Sequence, residues 1–166
     1  MIREETAGDY DAVFHVERDA FGREDEARLV EQLREDGVVI ASLVAVEEGE
    51  VVGHILFTEL PVESEAGTVR AAALAPMAVR SDMQSRGIGS ALVEAGIAVC
   101  RQRGVKAVVV LGHASYYPRF GFSAALASRL QAPFSGPVFM AMELEPGSLA
   151  AGGKPRYAEA FGVPDC

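Results

Sequence analysis

The residues best placed to do chemistry lie in one run, from Leu74 to Leu92. An apolar segment ending in Met77, Ala78 and Val79 passes through a polar stretch into a helical pattern whose first turn holds Gly87 and Gly89. Glycines at such a point let a ligand come close to the backbone. The unpaired amides of the first turn, with about half a positive elementary charge from the helix dipole, attract phosphate oxygens. Gln84, Ser85, Arg86, Gly87, Ile88, Gly89 and Ser90 therefore form a candidate pyrophosphate cradle. The plainer alternative is that the two glycines only shape a tight strand-to-helix turn. Two other glycine motifs fail here. A dinucleotide fingerprint needs a third glycine where Leu92 stands, and the Gly-Lys-Ser or Gly-Lys-Thr of a P-loop is absent.

Gln84 stands three residues before Gly87, giving Gln-x-x-Gly-x-Gly after an apolar strand. That arrangement resembles the acetyl-CoA-binding motif of the GNAT superfamily of N-acetyltransferases. Further on, Tyr117-Pro118-Arg119-Phe120-Gly121-Phe122 is similar to the Tyr-x-x-x-Gly-Phe segment that follows the fifth strand of those enzymes. The run from Leu111 to Phe122 is similar to a bacterial branch of small GNAT proteins, and the element order matches over about residues 1 to 122.

The resemblance implies an α/β fold with one mixed, mostly antiparallel twisted sheet and flanking helices. It also implies acetyl-CoA as the acyl donor. Met77, Ala78 and Val79 would offer backbone groups to the pantetheine arm, and Ser85 to Ser90 would hold the pyrophosphate mainly through main-chain amides. Arg80 and Arg86 flank this loop, either as phosphate contacts or as solvated charges. Tyr117 falls where family members carry the tyrosine that protonates the departing thiolate, with Tyr116 as the rival. The implied reaction is acetyl transfer to a primary amine of a small molecule or a peptide. Two other readings stay open: a domain that binds an acyl-CoA without turning it over, and acylation of protein N-termini.

Acyl transfer from a thioester to an amine passes through an oxyanion, which a fixed backbone amide near Ala78 would stabilise. The thiolate, with a parent pKa of about 8.5, gains modestly from a phenolic donor of pKa about 10. No covalent acyl-enzyme is required, so the absence of a nucleophile elbow is no obstacle. For the base that accepts the amine proton, His113 is the first candidate, against the alternative that it holds the loop by a backbone hydrogen bond. Glu59 and His54 follow, and Glu59 reads equally well as a solvated strand-end charge. The sequence departs from the family pattern at Ser81 and Asp82, where many members carry a proline. The stretch from Leu111 to Tyr117 also lacks the asparagine that often contacts CoA.

These residues need elements to position them. Thr6-Ala7-Gly8-Asp9 has the spacing of a helix start, and Val13, Val16 and Ala20 repeat at helical intervals, predicting a helix from about Gly8 to Ala20. A second helix is marked by Ala27, Val30 and Leu33 and ends near Gly37. Val38 to Val46 and Val51 to Leu60 flank a turn-like Glu47-Glu48-Gly49-Glu50 and read as an antiparallel hairpin closed by Pro61. A strand from Val69 to Val79, a helix traced by Ile88, Leu92, Ala95 and Val99 to Gly104, and a buried strand from Ala107 to Leu111 make a parallel crossover. Pro137 to Leu144 reads as a last strand, Glu145 to Lys154 as a loop, and Arg156 to Phe161 as a further short edge strand.

At 166 residues the chain fits a single domain, with about 147–166 as a C-terminal extension that packs on the domain, covers the substrate cleft or meets a second subunit. Apolar residues at 49%, charged residues at 23% and a mean hydropathy of +0.16 exclude disorder and fibrous repeats. Fifteen basic against 24 acidic residues leave a net charge of −9, which disfavours a nucleic-acid partner and fits a cationic acceptor only loosely. The longest wholly apolar run, nine residues from Ala71 to Val79, is too short to cross a bilayer. The N-terminus has the marks of neither a signal peptide nor a lipid anchor, so a cytoplasmic location is expected. Cys100 and Cys166 are expected to be free thiols, with no metal site. Oligomeric state is left open, a homodimer among the expectations.

Overall fold

The computed structural model describes residues 1–163; Cys166 and the end of the C-terminal extension lie outside them. The chain opens with strand β1 (Ile2–Glu4), followed by a 3₁₀ turn at Ala7–Asp9 that leads into helix α1 (Tyr10–Phe21). The helical start expected at Gly8 is thus one short turn of tighter winding before Tyr10. The Asp9 carboxylate accepts from the Thr6 amide at 2.8 Å and the Thr6 hydroxyl at 3.1 Å. Hydrogen bonding from the Arg3 guanidinium holds that carboxyl well below the usual carboxylate range. Val13 and Val16 of α1, and Ala27, Val30 and Leu33 of α2 (Asp25–Glu35), form the buried faces that the sequence periodicity predicts.

Strands β2 (Val39–Glu47) and β3 (Glu50–Glu59) form the expected hairpin. Its turn residues Glu48 and Gly49 both have positive φ, at 51° and 79°, the twist-matched form of a two-residue connection. Two short strands not read from the sequence follow, β4 (Val62–Ser64) and β5 (Gly67–Val69). Strand β6 (Ala71–Val79) begins after a break at Arg70, whose guanidinium is held by Glu59 at 3.1 and 2.9 Å, so the strand expected from Val69 is two. Helix α3 (Ile88–Gln102), strand β7 (Ala107–Leu111), a one-turn helix α4 (Ala124–Ala127) and strands β8 (Phe139–Glu143) and β9 (Lys154–Pro155) complete the fold. The strand expected over Arg156 to Phe161 is instead a 3₁₀ turn at Glu159–Phe161, and the extended pairing there is limited to β9.

The main sheet has the order β1-β2-β3-β6-β7-β8, antiparallel throughout except for β6 with β7. A small sheet, β5-β4-β9, is added to the single sheet expected. Alternation along the strands sends Leu43, Ile55, Phe57, Val108 and Val110 toward Leu92, Val93 and Cys100 of α3. The opposite face carries two clusters. Val44 and Leu56 lie under α1 and α2, while Ala71, Ala73 and Val109 lie with Phe139 and Leu149. The segment 157–161 reaches both, through Tyr157 on one and Phe161 on the other. No helix among the described residues is long and apolar enough to cross a membrane.

Helix α3 is drawn against β3 by Gly96, where an added Cβ would lie 2.1 Å from Cε2 of Phe57. Gly96→Ala gains about 1 kcal/mol of helix propensity but overpacks this contact at a cost of about 3 kcal/mol. A lowered melting temperature is therefore expected in thermal denaturation. An unchanged or raised value would show that Phe57 has room to yield.

Candidate functional site

The site originates in a mismatch of register. Ile55 pairs with Met77 and Phe57 with Leu74, so two steps on β3 face three on β6, and the extra residue falls at Ala75-Pro76. Such a bulge bends and twists its strand, and Pro76 offers no amide hydrogen to a neighbour. Pairing of β6 with β7 accordingly ends at Leu74–Val110, while β3 continues to pair with Met77, Ala78 and Val79. Past Leu74, then, the β7-facing edge of β6 has no strand partner among the described residues, in the middle of the main sheet.

At the end of β6 the chain is pinned. The Arg80 amide bonds the Val52 carbonyl at 2.8 Å, and the Gln84 side-chain amide donates to the Val79 carbonyl at 3.0 Å. Gln84 thereby fixes the loop as well as lining the cleft. Ser81 is held through its amide at 2.7 Å and its hydroxyl at 3.2 Å by the Asp19 carboxylate of α1. Ser85 and Gly87 have φ of 64° and 81°, the left-handed region in which glycine is at ease and serine is not. These two reversals turn the chain from the loop into the first turn of α3. In that first turn a Cβ on Gly89 would sit 3.4 Å from the Tyr116 hydroxyl and 3.5 Å from Cε of Met77.

A cleft of about 640 Å³ opens there. Val79, Met83, Gln84, Ser85 and Gly87 to Ser90 line one wall; His113, Tyr116 and Arg119 line the other. The predicted cradle is therefore brought together with the predicted base. Ala78 is buried and Met77 half-buried, and of the predicted segment Met77 to Val79 it is Val79 that lines the cleft. Arg86 is exposed. The Arg80 guanidinium is committed to Asp82 at 2.6 and 3.1 Å and to Glu50 at 3.1 Å, which favours the solvated reading over a phosphate contact.

The two tyrosines divide. Tyr116 lines the cleft and its hydroxyl meets the Ser90 hydroxyl at 2.9 Å. Tyr117 is 7% exposed, edge-on to Phe122 and Tyr116, with its ring over Gly112, where an added Cβ would lie 2.3 Å from it. Burial, with Tyr116 adding, pushes its phenol up to about 12, so it stays protonated across the physiological range. His113 is exposed, and its carbonyl accepts from the amides of Tyr116 at 3.0 Å and Tyr117 at 3.2 Å; it holds the loop by its main chain and leaves the ring free for the cleft. Arg119 was not singled out by sequence reasoning. The signal lay in the spacing Tyr116-x-x-Arg119, which a 3₁₀ turn at Tyr117–Phe120 eclipses.

The other proposed bases lie elsewhere. Glu59 is the ion-pair partner of Arg70. His54 is fully buried under α1, where Nε2 meets the Ser42 hydroxyl at 2.8 Å and Nδ1 meets Glu17 at 2.7 Å. The order serine, histidine, carboxylate looks like a hydrolytic triad, but Glu17 and His54 are at 0% exposure and lie under α1, away from the cleft. Among the described residues no group of three or more His, Cys, Asp or Glu side chains is arranged to hold a metal.

This buried chain is held neutral. Burial pushes the Glu17 carboxyl up to about 8, with Glu26 adding and Arg34 opposing, and pushes His54 down to about 4 against the pull of Glu5. Between pH 6.5 and 8 Glu17 keeps its proton in the folded state and has lost it in the unfolded one, so its contribution to stability falls as pH rises; His54 acts in the opposite sense only below 6.5. Glu17→Gln removes that slope while still offering a donor to His54. Its melting temperature relative to the parent should therefore climb from pH 6.5 to 8, and a pH-independent difference would mean that Glu17 is ionised in the fold. Glu17→Ala strands the imidazole and should cost about 1–3 kcal/mol at either pH.

Comparison with known proteins agrees with this geometry. The family model for the acetyltransferase (GNAT) domain matches residues 1–125. The Escherichia coli K12 protein named uncharacterized N-acetyltransferase YjhQ is 46% identical over 109 residues, covering 64% of this chain and 60% of YjhQ. YhbS of the same organism, also named an uncharacterized N-acetyltransferase, is 34% identical over 137 residues, or 82% of this chain and 81% of YhbS. The crystal structure of E. coli YhbS in complex with CoA superposes with a TM-score of 0.88 at 31% identity, covering 99% of this chain and 93% of that one. A Brucella melitensis GNAT acetyltransferase in complex with acetyl-CoA gives 0.81 at 30% identity, over 97% of each chain. With the family model covering residues 1–125 and YhbS 34% identical over 82% of the chain, the chain belongs to the GNAT family of acetyltransferases.

Proposed function

We propose that this protein transfers an acetyl group from acetyl-CoA to a primary amine of a small molecule or peptide, by direct attack of the amine. The observation that carries the reading is the convergence, at one cleft, of the unpartnered edge of β6 with the first-turn amides of α3. CoA and acetyl-CoA in the two solved relatives support the choice of donor.

The donor supplies an electrophilic thioester carbonyl and a leaving thiolate. The chain's part is to hold and polarise it. Met77, Ala78 and Val79 bind the pantetheine arm as an added strand would, and a main-chain amide of this segment receives the developing oxyanion. Gly87 to Ser90 hold the diphosphate with amides that the helix leaves free. Ser85 and Gly87 supply the reversals of the chain, and Gln84 keeps the loop against Val79. Tyr117, protonated in the resting enzyme, donates a hydrogen bond and then its proton to the leaving sulfur. His113 accepts the proton that the attacking amine loses, directly or through water.

The test is release of free CoA thiol across a panel of amines, amino acids and peptides. At least one acceptor should react. Tyr117→Phe should then lower kcat by about 100-fold with acetyl-CoA affinity unchanged. Loss of rate in Tyr116→Phe but not in Tyr117→Phe transfers the role to the neighbour. Tight acetyl-CoA binding with no turnover on any acceptor would replace the enzyme by an acyl-CoA sensor.

A further inference from the structure

The cleft has two places that attract anions, and a tyrosine stands between them. One is the amide-lined first turn of α3. The other is Arg119, the arginine in the cleft lining. Its guanidinium lies over the Tyr116 ring, 4.5 Å from the centroid, and its Nε donates to the Tyr116 carbonyl at 2.9 Å. A longer contact of 3.4 Å joins a terminal nitrogen to the Ser115 carbonyl. Unlike Arg3, Arg34, Arg70 and Arg80, Arg119 makes no ion pair among the described residues. In a chain of net charge −9 it presents an uncompensated, pre-oriented cation with N–H groups left over.

The Tyr116 hydroxyl is bonded to Ser90, in the first turn of α3, while the face of the same ring carries Arg119. The ring therefore stands between the guanidinium and Ser90 in the first turn of α3. A ligand with two separate phosphate groups can satisfy both ends at once. The chemistry of the two ends also differs. Helix amides with about half a charge suit a bridging diphosphate, whereas a phosphate monoester carrying about −1.5 to −2 at pH 7 calls for a full cation with paired donors.

Building on acetyl-CoA as the donor, we propose that Arg119 binds the 3′-phosphate on the ribose, and that this contact makes the protein select CoA over 3′-dephospho-CoA. Tyr116 is the positioning residue: it holds the guanidinium at that distance through its ring and its carbonyl. Arg119 touches no reacting atom, so it acts on donor affinity and leaves the chemical step alone.

Calorimetric titration of the full chain with CoA and with 3′-dephospho-CoA tests this. The parent should bind CoA about tenfold tighter than the dephospho form. Arg119→Gln should lose that factor on CoA and leave dephospho-CoA within twofold, and in thiol-release assays it should raise KM for acetyl-CoA with kcat intact. A circular-dichroism melt confirms that the variant folds, and Arg119→Lys should retain part of the preference. Equal weakening toward both ligands would move Arg119 to the diphosphate and overturn the proposal. So would an Arg119→Gln variant that still prefers CoA as the parent does. A parent that binds neither ligand would overturn the acyl-CoA reading itself.

Discussion

The separation of β6 from β7 is the constraint on which the rest of the structure depends. A strand buried within a sheet ordinarily has both edges satisfied, because an unpaired buried amide or carbonyl costs as much as a lost hydrogen bond. Here one edge beyond Leu74 is released while β3 keeps hold of the other. The surrounding structure supports that exposed edge without closing it. α3 is pulled tight to the sheet through Gly96, Asp19 of α1 reaches across to Ser81, and Gln84 returns to Val79. Each of these fixes backbone, and the cleft is accordingly a feature of main chain more than of side chains.

The polar groups sort by depth. Lining the cleft, Ser90, His113, Tyr116 and Arg119 are exposed or half-buried. Under α1 the polar groups are sealed: Glu17, His54 and Ser42 bond in a row, with Oε1 of Glu17 unpartnered among the described residues, flanked by the Arg34–Glu5 ion pair. That row ties α1 to β2 and β3 with directional bonds beside the buried apolar residues Val13 and Val16 of α1. Its similarity to a catalytic arrangement ends with its place under α1, away from the cleft.

Much of this was legible in the sequence, for identifiable reasons. Helices α1, α2 and α3 showed themselves because one face of each is apolar at regular intervals, and the β2–β3 hairpin because its strands are long and its turn carries glycine. β1, β4, β5 and β9, of two or three residues each, have too few positions for alternation to register, and pairing across long separations decides them. The cradle was readable because glycine spacing encodes backbone geometry. The facing wall was not, since the division of labour between Tyr116 and Tyr117 turns on which ring the 3₁₀ turn sends inward. His54 and Glu59 looked equally free on paper. Only the neighbours brought by folding, Glu17 and Arg70, distinguish them from His113.

The contacts of Tyr157 and Phe161 bear on how the molecule can breathe. Tyr157 is edge-on to Phe134, and to Phe161, which rests on the cluster beneath α1 and α2. This aromatic clasp bridges two apolar patches on the face of the sheet opposite α3, adding a side-chain link to the β3–β6 pairing that already joins their strands. Prising the helical layer away from the β6–β8 half requires peeling the clasp first, so the two halves belong to one cooperative opening unit instead of fluctuating separately.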